Sequence, residues 1–106
     1  MKLDSIIKDS GSVITSGNGS IEISAICCDS RKVIPGSLFV AVKGFASDGH
    51  QYIASAISKG AAGIVYEDAE TAENQINVSG NKEIVSIKAE SSRYALAIMA
   101  ANFYDN

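Results

Sequence analysis

The chain has little of the usual machinery of catalysis. It carries one histidine, His50, and two cysteines that are neighbours, Cys27 and Cys28. That set cannot make an ordinary zinc site. There is no G-x-x-x-x-G-K-[ST] phosphate loop and no G-x-S-x-G nucleophile elbow. Gly17-Asn18-Gly19 opens like a dinucleotide fingerprint but lacks the third glycine, and it reads as a turn. Nine Lys and Arg stand against twelve Asp and Glu, for a net charge of −3. The basic residues are scattered and form no stripe, which argues against polynucleotide binding. A small phosphorylated ligand needs only one or two local donors and stays open. No apolar run approaches the length of a membrane-spanning helix, and Met1 to Ser10 lacks the apolar core of a signal peptide. A bridge between adjacent cysteines would be strained, so both read as free thiols, which suits a reducing compartment. The expectation is a cytoplasmic protein with no membrane or nucleic-acid partner.

What is there suits one small α/β domain over residues 1–106. A chain of 106 residues, 46% hydrophobic and 20% charged, can bury a core without disulfides or metals, and is neither disordered nor fibrous. Leu3, Ile6 and Ile7 have helical spacing before Gly11, predicting a short helix over 2–9. Val13 to Thr15 reads as a short strand. Ile21, Ile23, Ala25 and Cys27 alternate with their neighbours, predicting a second. Pro35-Gly36 marks a turn. Leu38 to Val42 is a continuous apolar run, as in a strand covered on both faces. Only Asp29 to Gly36 separates it from the strand before, too short for a parallel crossover. The two strands are therefore expected to be antiparallel neighbours or not direct neighbours.

Ser47-Asp48-Gly49 can cap a helix running to Lys59, with Gly60 as its stop. Gly63 to Tyr66 and Ile84 to Ile87 read as strands. Glu67 to Asn81, polar and ambiguous, reads as a loop with a weak helix and a short strand. Ser91 or Ser92 opens a last helix in which Asn102 is the one strongly polar residue between Tyr94 and Tyr104. Such a helix expects cover on nearly every side. Either it is the central core helix, or its outer face meets a second domain. The ending Tyr104-Asp105-Asn106 carries no stop signal, which favours a longer protein.

The stretch from Asp29 to His50 carries the functional signal: turn, buried strand, small-residue loop, helix start. Backbone N–H groups gather where a strand gives way to a helix, a place that suits an anionic, nucleotide-like ligand. Ser30 offers a hydroxyl just after a strand, and 43–49 forms a loop of mostly small residues. Asp29 with Arg31 reads as an ion pair rather than a catalytic pair. Asp48 and His50 could suggest acid–base chemistry, but a helix cap and a first-turn residue explain them as well.

At these residues the chain resembles a known family. The pattern Asp29-Ser30-Arg31, Pro35-Gly36-Ser37-Leu38-Phe39-Val40-Ala41-Val42-Lys43-Gly44, Asp48-Gly49-His50, then Ile53, Ala56, Ile57 and Gly60-Ala61, is similar to the N-terminal domain of the Mur ligases. These bacterial enzymes build the peptide of peptidoglycan. The likeness extends through Ser91-Ser92-Arg93-Tyr94-Ala95-Leu96-Ala97 and Phe103-Tyr104, and is greatest for the ligases adding the third residue.

The resemblance implies a mixed β-sheet flanked by helices, a domain that grips the UDP end of UDP-N-acetylmuramoyl-L-alanyl-D-glutamate. It also implies central ATP-binding and C-terminal domains outside this sequence, with the last helix leading into the central one. ATP, Mg2+ and a carbamylated lysine would serve the whole ligase, through phosphorylation of the D-glutamyl carboxylate and amine attack. No cofactor and no catalytic residue are implied for residues 1–106. Carried over residue by residue, the family pattern puts Cys28, Ser30, Phe45, Ala46 and Ser47 at the UDP moiety, with Gly44, Asp48 and Gly49 shaping the loop. Cys28 replaces the commoner aliphatic residue, and Phe45-Ala46-Ser47 is not the commonest loop. Two alternatives remain: the ligase adding the terminal dipeptide, against which the Phe103-Tyr104 ending speaks, and a stand-alone nucleotide-sugar binding module.

Overall fold

The computed structural model describes residues 1–44, 47–81 and 83–104. Among these residues five strands form one sheet, in the order β1-β5-β4-β3-β2. They are β1 (Ser12–Ser16), β2 (Ile26–Cys27), β3 (Leu38–Val40), β4 (Gly63–Tyr66) and β5 (Val85–Ala89). β2 to β5 run parallel, and β1 pairs antiparallel with β5, with a break in register between Ile14 and Ser16. Four helices flank the sheet: α1 (Leu3–Ile7), α2 (Ile53–Ser58), α3 (Ala69–Ser79) and α4 (Ser92–Tyr104).

The strand period of two sorts the core into two layers. Leu38, Val40, Val65, Val85 and Ile87 face α1 and α4, where Leu3, Ile6, Ala95 and Met99 meet them. Phe39, Ala41, Ile64 and Tyr66 face α2 and α3, where Ile53, Ala56, Ile57 and Ala72 meet them. That two-sided cover is why residues 38–42 read as an unbroken apolar run.

The sequence reading is corrected in four places. β2 and β3 are direct parallel neighbours, Ile26 opposite Leu38 and Cys27 opposite Phe39. The crossover fits into 28–37 because it is folded tightly, through a 3-10 turn at Ser30–Lys32 and the Pro35-Gly36 turn closed by the Ser37 N–H to Ile34 carbonyl bond (3.1 Å). The alternating segment from Ile21 makes a strand only at Ile26–Cys27. Ahead of it, Ile21 and Ile23 hydrogen-bond to Leu3 and Met1 instead. The polar segment after Glu67 holds one regular helix, α3, and no strand. Asp68 caps it by accepting from the Thr71 N–H (3.2 Å) and hydroxyl (2.9 Å), and Gly80 stops it. Finally, α4 is not a central core helix. Ser92, Ala95 and Met99 are buried, whereas Tyr94, Ala97, Ala101 and Tyr104 lie exposed along its other side. The Asn102 amide donates to the carbonyls of Ile6 and Lys8, both at 2.9 Å, and so caps the end of α1.

The turn before β3 is locked to the end of α2. Gly36 N–H donates to the Gly60 carbonyl (2.8 Å). Gly60 has φ +105°, and a Cβ there would lie 2.9 Å from Pro35 Cα. Gly60→Ala therefore combines a strained backbone with a backbone clash, and should cost about 2–4 kcal/mol in urea unfolding.

Candidate functional site

The carboxyl ends of β2 and β3 open into a cleft of about 590 Å³ lined by Cys28, Asp29, Ser30, Arg31, Val42, Gly44, Ser47, Gly49 and Tyr52. In open parallel sheets this is where ligands enter. One wall is made by the chain leaving β2. Asp29 caps the 3-10 turn, its Oδ1 accepting from the Arg31 N–H (3.0 Å), and its carboxylate takes two more bonds from Arg31 Nε (3.0 Å) and Nη2 (2.9 Å). Those hydrogen bonds from Arg31 pull the Asp29 carboxyl down to about 2. Ser30 is nearly buried beneath, its carbonyl accepting from Lys59 Nζ at 3.2 Å. Cys28 is exposed; its neighbour Cys27 is half-buried, and burial raises that thiol above its ordinary value.

The facing wall is the loop after β3. Gly49 N–H donates to the Val42 carbonyl (2.9 Å), and Gly44 N–H to the Ser47 carbonyl (2.8 Å). A Cβ on Gly49 would lie 2.7 Å from Val42 N, so only glycine lets the two strands of the loop approach so closely. A 3-10 turn, Gly49–Tyr52, then leads into α2 and sets the half-exposed Tyr52 ring at the cleft.

His50 sits behind this wall with no exposure to solvent. Its Nδ1 is 2.7 Å from Asp48 Oδ1, and its Nε2 accepts from the N–H groups of Glu67 (2.9 Å) and Asp68 (3.1 Å). An Nε2 that accepts two bonds carries no proton, so the ring is neutral and donates from Nδ1. Burial alone would raise the Asp48 carboxyl, but the backbone and ring N–H groups of His50 outweigh it and hold the group low. This is a structural arrangement: neither nitrogen faces the cleft with a proton to give or take.

Of the residues singled out from sequence, the cleft gathers Cys28, Ser30, Gly44, Ser47 and Gly49. Asp48 stands just behind, shaping the turn. Phe45 and Ala46 lie outside the described residues. Arg31, Val42 and Tyr52 are additions. The sequence marks Arg31 only as Asp29's partner, and a lone tyrosine in a helix start carries no signal of its own. Among the described residues no three His, Cys, Asp or Glu side chains stand together as a metal-holding group, and no helix is long and apolar enough to cross a membrane. The cleft is lined by the hydroxyl-bearing Ser30, Ser47 and Tyr52, the Arg31 guanidinium and the Tyr52 ring.

Two outcomes test this geometry. Because the Asp29 pKa is depressed, its pairing stabilises the fold above the unfolded value of about 3.9, and that contribution is lost as pH falls toward about 2. An NMR titration of the side-chain carboxyl should find its midpoint near 2, moving up part of the way toward the ordinary range in Arg31→Ala, which removes the guanidinium and keeps the backbone N–H bond. His50→Ala strands two buried N–H groups and opens a cavity, and should cost about 3–5 kcal/mol in chemical denaturation.

Residues 22–104 match the sequence pattern described as Mur ligase family, catalytic domain. Over 106 residues the chain is 38% identical to the UDP-N-acetylmuramoyl-L-alanyl-D-glutamate–2,6-diaminopimelate ligase of Cytophaga hutchinsonii and 41% identical to the protein of that name in Clostridium tetani. These alignments cover 100% of this chain and 21% of either relative, so the chain spans about a fifth of their length. The fold is also that of a solved structure, the UDP-N-acetylmuramoylalanyl-D-glutamyl-2,6-diaminopimelate–D-alanyl-D-alanyl ligase from Acinetobacter baumannii. That likeness has a TM-score of 0.74 at 22% identity, over 95% of this chain and 21% of that one. By sequence pattern, whole-chain identity and fold, this chain belongs to the Mur ligase family.

Proposed function

We propose that the chain is the N-terminal, UDP-binding domain of an ATP-dependent ligase that adds the third residue, a diamino acid, to the peptide of peptidoglycan. The observation that carries this reading is the cleft itself. Cys28 and Ser30 on one wall face Gly44, Ser47 and Gly49 on the other, in a chain whose 38–41% identical relatives are named for UDP-N-acetylmuramoyl-L-alanyl-D-glutamate. The same relatives favour the third-residue ligase over the dipeptide-adding one, because the solved structure at 22% identity speaks for fold alone.

In this reading the uracil stacks on the Tyr52 ring, while Ser30, Ser47 and the loop's backbone groups fix its polar edge. Arg31 spends two N–H donors on Asp29 and has further donors for a diphosphate oxygen. UDP does not react. Its binding energy holds the distant carboxylate in place, so that the reaction proceeds at high effective concentration. ATP and Mg2+ serve the remaining four fifths of a protein the size of its relatives, in the cytoplasm, and residues 1–106 alone catalyse nothing. The exposed side of α4, with Tyr94 and Tyr104 at 57% and 62% exposure, is the seat of the adjoining central domain.

A UDP titration of the ¹⁵N-labelled 106-residue chain tests the assignment. The amide signals of Ser30, Ser47 and Asp48 should move first. Shifts confined to residues 67–81, or none at millimolar UDP, would overturn it.

A further inference from the structure

We infer that Arg93, on the first turn of α4, is a positioning residue for the cleft, holding the Lys43–Gly44 peptide group in its ligand-ready orientation. The inference rests on the reading of that cleft as a nucleotide site. Arg93 does not line the cleft. Its Nη2 donates to the Lys43 carbonyl at 3.1 Å, across fifty residues of sequence. The Lys43 carbonyl and the Gly44 N–H are two ends of one planar peptide group. Fixing the carbonyl from outside therefore fixes the direction of the N–H, and that N–H holds the Ser47 carbonyl at 2.8 Å. The bond across Gly44 and Ser47, both at the cleft, thus depends on a guanidinium that touches neither.

The far end of the loop is tied to the same turn of α4 by another route. Asp48 holds His50, and His50 Nε2 holds the Glu67 N–H. The Glu67 carboxylate in turn accepts the backbone N–H of Ser92, the residue before Arg93. Lys43 and Asp48, which pair with each other as an isolated bridge, are each anchored to residues 92–93. The two anchors differ in kind. The His50–Glu67 route runs through the fully buried His50 ring, and serves folding. The Arg93 bond is exposed, so the fold does not need it, and its consequence falls on the loop. A ligand that finds Gly44 and Ser47 already held is spared the entropy of ordering them.

Three forms of the chain decide the matter: the native sequence, Arg93→Ala and Arg93→Lys. In Arg93→Ala the Gly44 amide should exchange with solvent about tenfold faster, while the Val65 amide in the centre of the sheet keeps its native rate. UDP should bind about three- to tenfold more weakly, and Arg93→Lys should recover part of both effects. Unchanged Gly44 exchange in Arg93→Ala would overturn the inference, as would faster Gly44 exchange with undiminished UDP affinity. Equal acceleration at Gly44 and Val65 would also overturn it, since Arg93 would then be a stabilising residue only. If the native chain fails to bind UDP, the nucleotide reading falls, and the exchange rates still decide whether Arg93 holds the Lys43–Gly44 peptide group.

Discussion

Two backbone N–H groups, those of Glu67 and Asp68, converge on His50 Nε2 in a place from which water is excluded. A buried donor without a partner is costly, and here one ring satisfies two while handing its own proton to Asp48. Much of the molecule follows from that contact. It fixes where β4 turns into α3, because Asp68 must be in place to cap the helix. It fixes the start of α2, because Asp48 also accepts the His50 backbone N–H. Between these two helix starts it backs the wall of the cleft. The sole histidine, which invites a catalytic role on sequence alone, joins the two halves of one face of the sheet.

With His50 occupied in this way, the cleft is lined by hydroxyls, a guanidinium and an aromatic ring rather than by an imidazole. The charged pair at its rim is self-neutralising, since Asp29 shares the Arg31 guanidinium that a phosphate would seek. A ligand therefore competes with an internal partner, which favours modest affinity. That suits a handle on the unreactive end of a substrate: grip that is too tight lowers the ground state along with the transition state and slows release.

The parts legible in the sequence were those where one residue type has one physical use. Pro35-Gly36 could only turn, and 38–42 could only be covered on both faces. Gly60 marked a helix end, and the Asp29–His50 pattern marked both the family and most of the cleft. What was missed depended on partners far away in sequence. The parallel pairing of β2 with β3 was hidden because a rule about crossover length assumes a helix, and this crossover is two tight turns. The extent of α3, read only as a weak helix, was hidden because just a narrow stripe, with Ala72 at its centre, is buried, so its polar residues masked the period. Its cap, Asp68 with Thr71, and its stop, Gly80, were present to be read. The cover of α4 was undecidable, since a helix apolar all round does not say which side faces inward. The place of Tyr52 at the cleft came from the turn that begins α2, which fixes a direction no spacing argument supplies.

The sheet ends on one side at β2, which has two residues, and on the other at β1, whose register breaks at Thr15. An exposed strand with a full row of unpaired N–H and carbonyl groups is a template for other chains. Neither edge offers such a row. One is too short to hold a foreign strand, and the other bends out of line where pairing would propagate. A chain that folds around a mostly parallel sheet passes slowly through partly assembled states, and blunt edges give those states little with which to find one another.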